Sequence, residues 1–361
     1  MPNKSNLDRA KKAKFDEFYT MYEDVENEVK HYTEQLKGKV VYCNCDDPLT
    51  SNFWKYFHFN YEKIGLKGLY ASHYLPYPIV PPDTSFLPIR EDAGYMYYNG
   101  GHDAAEWAGD YKRFRAVESS NYGDYKSEEC KAIFAKADVI VTNPPFSLFR
   151  EYFKFLVDSG KKFIITANIN SIGDIDVFKA LYEKKARVGY TYNHNAKYKT
   201  TSEYEGNLIK IGNEYYANLA TLYFTNFNTD DKPFYYSGKK YKDGNYKRYD
   251  NCDAIEISKL SELPDDYNDI MGVPVTIFKV LNNNQFEIVG SRNKGYFTPT
   301  KYYDNMIYKD KNKKYNTSKP NTAFMIEVTK EEAIKSGKYY IYKDKYYIMT
   351  YNRILIKRKT E

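Results

Sequence analysis

Ile140-Val141-Thr142-Asn143-Pro144-Pro145-Phe146 lies near the middle of the 361-residue chain and sets how the rest is read. With Val139 before it, the β-branched run 139–142 predicts a buried strand. Pro144 and Pro145 carry no N–H for a sheet ladder, so the strand ends at Asn143. Beyond it Leu148, Phe149, Tyr152, Phe153, Phe155 and Leu156 recur at helical spacing and predict an amphipathic helix over 147–159.

Asn143 therefore stands where a strand leaves its sheet, the edge at which open α/β sheets place ligands. Its side-chain amide offers an acceptor, the Pro144 carbonyl a second, and Phe146 a ring face. An exocyclic amine on a flat heterocycle calls for that combination: two acceptors orient its hydrogens while the ring stacks on the base. An isolated Asn-Pro is a turn signal and nothing more. Asn-Pro-Pro-Phe between a hydrophobic strand and an amphipathic helix favours the functional reading.

The length suggests two domains. No run of about 18 apolar residues occurs and no cleavable signal pattern precedes Phe15, so a soluble, cytoplasmic protein is expected. Cys43, Cys45, Cys130 and Cys252 are too scattered for a disulfide framework, and Cys43-Asn44-Cys45 has no second ligand pair to make a metal site. The net charge of +6 is uneven: residues 191–361 hold 28 Lys and Arg against 21 Asp and Glu, a net +7, leaving −1 for residues 1–190. A basic second half suits contact with a polyanion, although a solvated lysine surface gives the same count. The 41 tyrosines rise together with Lys and Asn, as AT-rich coding produces, and carry little weight as base-stacking groups.

Thr20 with Glu23 three positions on is the pattern of a capping box, opening a helix that ends near Gly38. Lys39–Cys45 reads as the first core strand, closed by Asp46-Asp47-Pro48, and residues 50–60 read as helix. No glycine occurs between 39 and 64, so the glycine-rich turn that lets backbone approach a nucleotide-like cofactor is missing. Asp46 and Asp47 are two carboxylates at a strand end beside a helix start, placed for charge-assisted hydrogen bonds. Residues 65–73 read as a second strand, ending on Ser72 and His73 with no acidic residue there. Five prolines mark 76–88 as irregular, and 95–98 with 111–117 pair as strands around Asn99-Gly100-Gly101. Asp124 follows Gly123 in a turn before a helix over 127–135. Strands over 162–167 and 187–192 flank a helix over 174–185, so strand and helix alternate through 39–190 and argue a mainly parallel, doubly wound sheet. Beyond 190, short Tyr/Lys/Asn-rich strands dominate, 272–278 and 285–289 among them. Lys309, Lys311, Lys313 and Lys314 form an exposed basic segment of the kind that contacts phosphates.

Asn-Pro-Pro-Phe resembles the catalytic motif of amino-methyltransferases, closest to the adenine-N6 form because it begins with Asn and ends with Phe. With Lys12–Asp24, with Val41-Tyr42-Cys43-Asn44-Cys45-Asp46-Asp47-Pro48 and Ser51-Asn52-Phe53, and with Ala137–Tyr152, the chain resembles the EcoRI-type adenine-specific DNA methyltransferases. The likeness is strong over the first half and one of general layout beyond it. It implies an α/β fold, with a Rossmann-like S-adenosylmethionine-dependent methyltransferase sheet over 39–195, an N-terminal arm and cofactor-contacting helix over 1–38, and a DNA target-recognition region over 196–361. It implies S-adenosylmethionine as methyl donor, double-stranded DNA as partner, a base flipped out of the stack, and a monomeric enzyme whose cognate endonuclease, if one exists, acts on the same site without binding to it. Carried over residue by residue, Asn143, Pro144, Pro145 and Phe146 hold the adenine, and Phe18, Tyr19, Thr20, Asn44, Asp46 and Asp124 belong to the cofactor motifs; no metal is implied. The rival expectations are the same fold acting on RNA or a protein glutamine, a DNA-binding protein with an inactive methyltransferase domain, and a combined restriction–modification enzyme.

Overall fold

The computed structural model describes residues 19–48, 50–73, 94–98, 110–113, 123–200, 208–292, 295–310 and 313–359. Phe18, the basic stretch 1–14, the proline-rich excursion 76–88, the turn at 99–101 and Lys311 lie outside the described residues. The chain divides into two compact units, Met1–Ser171 with Lys184–Phe227, and Ile172–Glu183 with Asn228–Glu361.

The first unit holds a 10-stranded sheet. Its strands are β1 (Tyr19–Thr20), β2 (Val40–Cys43), β3 (Gly68–Ser72), β4 (Gly94–Tyr98), β5 (Asp110–Arg113), β6 (Val139–Thr142), β7 (Lys162–Asn168), β8 (Arg187–Thr200), β9 (Leu208–Ile211) and β10 (Glu214–Thr225). They lie in the order β1-β8-β10-β7-β6-β2-β3-β4-β5, with β9 on β10. Only β3, β2, β6 and β7 are mutually parallel. The flanking pairs, β3–β4, β4–β5, β7–β10, β10–β8 and β8–β1, are antiparallel. The mainly parallel sheet expected from strand–helix alternation is thus a parallel centre with antiparallel wings. Alternation predicts crossovers, and past β7 the chain turns back by strand pairing instead. The texture change near 195 is no unit boundary: β8 runs through it to Thr200, and β10 pairs with β7 in the same sheet.

Helices α1 (Tyr22–Val29), α2 (Asn52–Phe59), α3 (Glu128–Lys136) and α4 (Phe149–Ser159) cover this centre. Side chains alternate along a strand, so each face gathers its own core. Val41, Cys43, Leu69, Val139, Val141 and Ile164 bury against Val25 and Val29 of α1 and Phe53, Trp54 and Phe57 of α2. On the opposite face Phe153 of α4 meets Phe163 and Phe224. Helix α1 is pinned by the buried Glu28 carboxylate, which accepts the Tyr190 N–H (3.1 Å), the Thr191 N–H (2.6 Å) and the Tyr32 hydroxyl (2.6 Å). Gly189 makes that contact possible, because a Cβ there would overlap the Glu28 carboxylate.

The expected cap at Thr20 does not form. Thr20 is a buried strand residue paired with Tyr198, and α1 starts after Met21 with no side-chain cap. Pairing with a residue far along the chain wins over the local capping pattern.

The second unit contains α5 (Ile175–Tyr182), a four-stranded sheet and a five-stranded sheet. The first of these sheets joins β11 (Ile255–Glu256), β12 (Met271–Pro274), β19 (Arg353–Arg358) and β13 (Phe286–Ser291) in that order. The second runs β15 (Lys314–Thr317), β14 (Met306–Asp310), β17 (Lys338–Tyr342), β18 (Lys345–Met349), β16 (Met325–Val328). Of residues 272–278, read as strand, 272–274 belong to β12, and the rest fall in a 3-10 helix, Val275–Lys279, after Pro274. Helix α6 (Lys330–Ser336) opens on a capping box, Thr329 with Glu332. Among the described residues no helix is long and apolar enough to cross a membrane.

Candidate active site

The parallel centre changes direction between β2 and β6. From β2 the chain moves outward to β3, then returns to lay β6 on the other side of β2. At such a switch point the segments leaving the two strands part and open a crevice at their carboxyl ends. Asn44 and Asp46 follow β2, and Asn143 follows β6, so the sheet brings these residues to one edge.

The turn after β2 holds its shape without glycine. Among its described residues none has a positive φ. The Asp46 N–H donates to the Ser72 carbonyl (2.9 Å), the Cys45 N–H to Thr142 Oγ1 (3.1 Å) and the Ser51 N–H to the Asp47 carbonyl (2.7 Å). Ser51 caps α2 by accepting from the Phe53 and Trp54 N–H groups, and its hydroxyl donates to Asp46 Oδ1 (2.7 Å). The other Asp46 oxygen accepts the Thr142 hydroxyl, and the Asn143 N–H also donates to this carboxylate. Burial pushes Asp46 up to about 6, against the pull of its hydrogen bonds to Thr142, Ser51 and Asn143. Around it Cys43, Cys45, Tyr152 and Tyr223 are all held above their usual values by burial. Cys43, Cys45, Cys130 and Cys252 are free thiols.

A second line of contacts runs from Asn44. Its carboxamide oxygen accepts the Tyr152 hydroxyl of α4, the helix that follows Asn-Pro-Pro-Phe. Tyr152 meets Tyr125 edge-on at 5.0 Å, and Tyr125 adjoins Asp124. One Asp124 oxygen accepts the Lys126 N–H (2.9 Å), shaping the turn before α3. The second makes no hydrogen bond among the described residues.

A third line closes the edge from the N-terminal side. The Thr20 carbonyl accepts from Asn52 Nδ2 (2.7 Å), next to the Ser51 that serves Asp46. The Tyr198 phenol, buried beside the Thr20 hydroxyl, also contacts Thr166 Oγ1 (3.2 Å). Its ring meets Phe146 edge-on at 6.2 Å. Pro144 is buried, while Asn143, Pro145 and Phe146 are half-buried. The Tyr19 backbone pairs with Lys199 in β1.

Of the residues singled out in the sequence, Thr20, Asn44, Asp46, Asp124, Asn143 and Phe146 are therefore joined through shared neighbours. The joining residues Ser51, Thr142, Tyr152 and Tyr198 do not stand out in the sequence as site residues. Ser51 carries a signal, a serine opening a helix. Tyr152 shows only as part of an apolar face, and Tyr198 is one tyrosine among 41.

S-adenosylmethionine presents an adenine amine, ribose hydroxyls, a carboxylate and an ammonium group. Asp124 carries a carboxylate oxygen with no hydrogen bond among the described residues, and the Asn44 amide, its oxygen already occupied by Tyr152, keeps N–H donors. The residues present fit the group.

The model of the family described as adenine-specific methyltransferase EcoRI matches residues 6–359. The chain is 38% identical over 301 residues to the Type II methyltransferase M.EcoRI of Escherichia coli, covering 79% of this chain and 89% of that protein. It is 31% identical over 293 residues to the Type II methyltransferase M.MpnI of Mycoplasma pneumoniae, covering 78% and 84%. No solved structure matches significantly. A family match spanning nearly the whole chain, on a sheet that brings Asn-Pro-Pro-Phe to a switch point, makes this an adenine-specific DNA methyltransferase: the chain belongs to the EcoRI adenine-specific methyltransferase family.

Proposed function

We propose that the enzyme transfers a methyl group from S-adenosylmethionine to N6 of an adenine flipped out of a specific site in duplex DNA, as the modification half of a restriction–modification system. The observation that carries this is the meeting of the β2 turn and Asn143 at the switch point of the parallel centre. That arrangement supports a Rossmann-like reading of the sheet. Thr20, Asn44, Asp46 and Asp124, with the backbone of Tyr19, form the cofactor side; Asn143, Pro144, Pro145 and Phe146 form the base side.

When bound, S-adenosylmethionine supplies an electrophilic methyl on a sulfonium. Adenine N6 is a poor nucleophile because its lone pair is delocalised into the ring. Accepting the N6 hydrogens at the Asn143 side-chain oxygen and the Pro144 carbonyl favours a more tetrahedral nitrogen and aims its lone pair, so positioning supplies much of the rate. As the N–C bond would form, the methyl–sulfur bond would break to leave a neutral thioether, and the proton lost from the methylated N6 would pass to water. Flipping costs a few kcal/mol of stacking, which the half-buried Phe146 ring, backed by Tyr198, partly offsets.

The second unit serves as the target-recognition region in this reading. Lys309, Lys313 and Lys314 lie on and beside the β14–β15 pair, and among the described residues no carboxylate pairs with them. Lys247, Lys301 and Lys345 are by contrast tied to Glu332, Asp250 and Glu327. Unpaired lysines beside Tyr315 suit a phosphate backbone.

The test is Asn143→Ala, assayed for methyl transfer to duplex DNA and for S-adenosylmethionine binding by calorimetry. Transfer falls by about 100-fold or more while cofactor affinity stays near that of the parent. Loss of both together removes Asn143 from the role given to it here.

A further inference from the structure

We infer that Asp46 is a positioning residue for Asn143: its buried carboxylate holds the peptide that enters Asn-Pro-Pro-Phe and so fixes where the base-side acceptors stand. The inference rests on the catalytic reading of Asn143 given above, and it goes beyond a role for Asp46 in holding the cofactor.

Three donors from two elements converge on this one group. Ser51, at the start of α2, gives its hydroxyl to Oδ1. Thr142, the last residue of β6, gives its hydroxyl to Oδ2, and the Asn143 N–H donates as well. Thr142 Oγ1 simultaneously accepts the Cys45 N–H, so the link between the two strand ends is doubled. A carboxylate accepts at about four lone-pair sites, and three are used inside the protein. Asp46 is only 6% exposed, and its own N–H is tied to Ser72 of β3. Its oxygens are spent mainly on the protein's own strand ends.

The chemistry requires an acid at this position. The Ser51 and Thr142 hydroxyls can turn to face a different partner; the Asn143 N–H cannot. An amide in place of the carboxylate has one acceptor oxygen instead of two and brings its own N–H groups against the existing donors. The Asn143 peptide then loses its anchor or keeps it at the expense of a hydroxyl. Asn143 shifts slightly relative to the methyl donor, and small misplacements of a reacting geometry are costly in rate while leaving binding largely intact.

The same geometry makes the clamp sensitive to protonation. A proton on Asp46 removes an acceptor from a set of three donors, and burial brings that event up to about pH 6. The titratable groups around it are Cys43 and Cys45 on the β2 side, Asp47 next in the chain, Tyr152 of α4 and Tyr223 of β10. The thiols and phenols are pushed upward and stay neutral through this range, and the Asp47 charge adds to the upward push on Asp46.

The experiment compares Asp46→Asn, Thr142→Val, Thr142→Ser and Asn143→Ala in full-length protein. S-adenosylmethionine affinity is read by calorimetry and methyl transfer by single-turnover kinetics at saturating cofactor and DNA, between pH 5 and 8. Asp46→Asn is expected to drop the transfer rate about 10- to 100-fold at saturating cofactor, a loss beyond any change in cofactor affinity. The parent rate falls as pH drops through about 6, and Asp46→Asn loses that limb. Thr142→Val reproduces the loss of rate and Thr142→Ser restores it, which decides the matter even where Asp46→Asn does not fold. A tenfold or greater loss of cofactor affinity with an unchanged saturated rate would overturn the inference, as would an unchanged rate and pH profile. An Asn143→Ala protein that keeps full activity breaks the catalytic reading itself. Loss of activity there, beside a fully active Asp46→Asn, breaks only this inference.

Discussion

Two buried acids show how differently the two units use a carboxylate. Asp46 in the first unit is surrounded by neutral donors, two hydroxyls and a peptide N–H. Glu256 in the second unit faces a cation: the Arg353 guanidinium lies 2.6 Å away, and the Tyr249 hydroxyl also donates to it. Both pairings satisfy the charge. The neutral donors leave Asp46 able to take up a proton near physiological pH, whereas an ion pair at that distance builds a fixed brace between β11 and β19. The acid at the site is adjustable, and the acid in the second unit is structural.

The sharpest way to break that contrast is Arg353→Ala. Leaving Glu256 buried without its cation costs about 3–5 kcal/mol, seen as a lower urea midpoint, while cofactor affinity of the folded protein is unchanged. A small stability loss would mean that Glu256 is satisfied by other donors and that the two acids are alike. Next in size is replacement of Lys309, Lys313 and Lys314 together by Gln. Affinity for duplex DNA falls and the slope of log affinity against log salt shrinks by about 1 for each phosphate no longer neutralised, with no change in cofactor binding. An unchanged slope would make these lysines a solvated face. The smallest effect belongs to Ser51→Ala, which removes the α2 cap at about 1 kcal/mol. It also removes one bond that holds the Asp46 value down, so the acid limb of activity moves to higher pH. An unmoved limb would take Asp46 out of the pH profile.

Stability and activity run in opposite directions across this window. Asp46 takes its proton at about 6 in the folded chain against an ordinary 3.8. Between those values the folded state binds the proton more tightly than the unfolded one, so the stability contributed by this group declines as pH rises to about 6. Transfer depends on the ionised form and rises over the same interval. A site that works best in its less stable ionisation state is consistent with strain being kept where function needs it.

The parts of this arrangement that are legible in the sequence are local. Val139–Thr142 is the strand that its β-branched run predicts, and the prolines end it where expected. The α4 pattern from Leu148 to Leu156 gives a helix that buries Phe149, Tyr152, Phe153 and Leu156. What the sequence hides depends on distant pairing. Asp46 meets Thr142 across 96 positions, and Asn44 meets Tyr152 across 108. Thr20 has the spacing of a helix cap, with Glu23 in the right place, yet strand pairing with Tyr198 claims it. The missing glycine turn is explained in the same terms: hydrogen bonds from Thr142 and Ser72 hold the chain after β2 in ordinary backbone conformations, so no residue there needs glycine's freedom.

The most direct measurement is methylation-sensitive sequencing of plasmid DNA from a methylase-deficient host expressing the protein, with Asn143→Ala in parallel. The account predicts N6-methyladenine at one short sequence motif in the first and none in the second. Unmodified DNA from cells making soluble, cofactor-binding protein, or equal modification by Asn143→Ala, would contradict it.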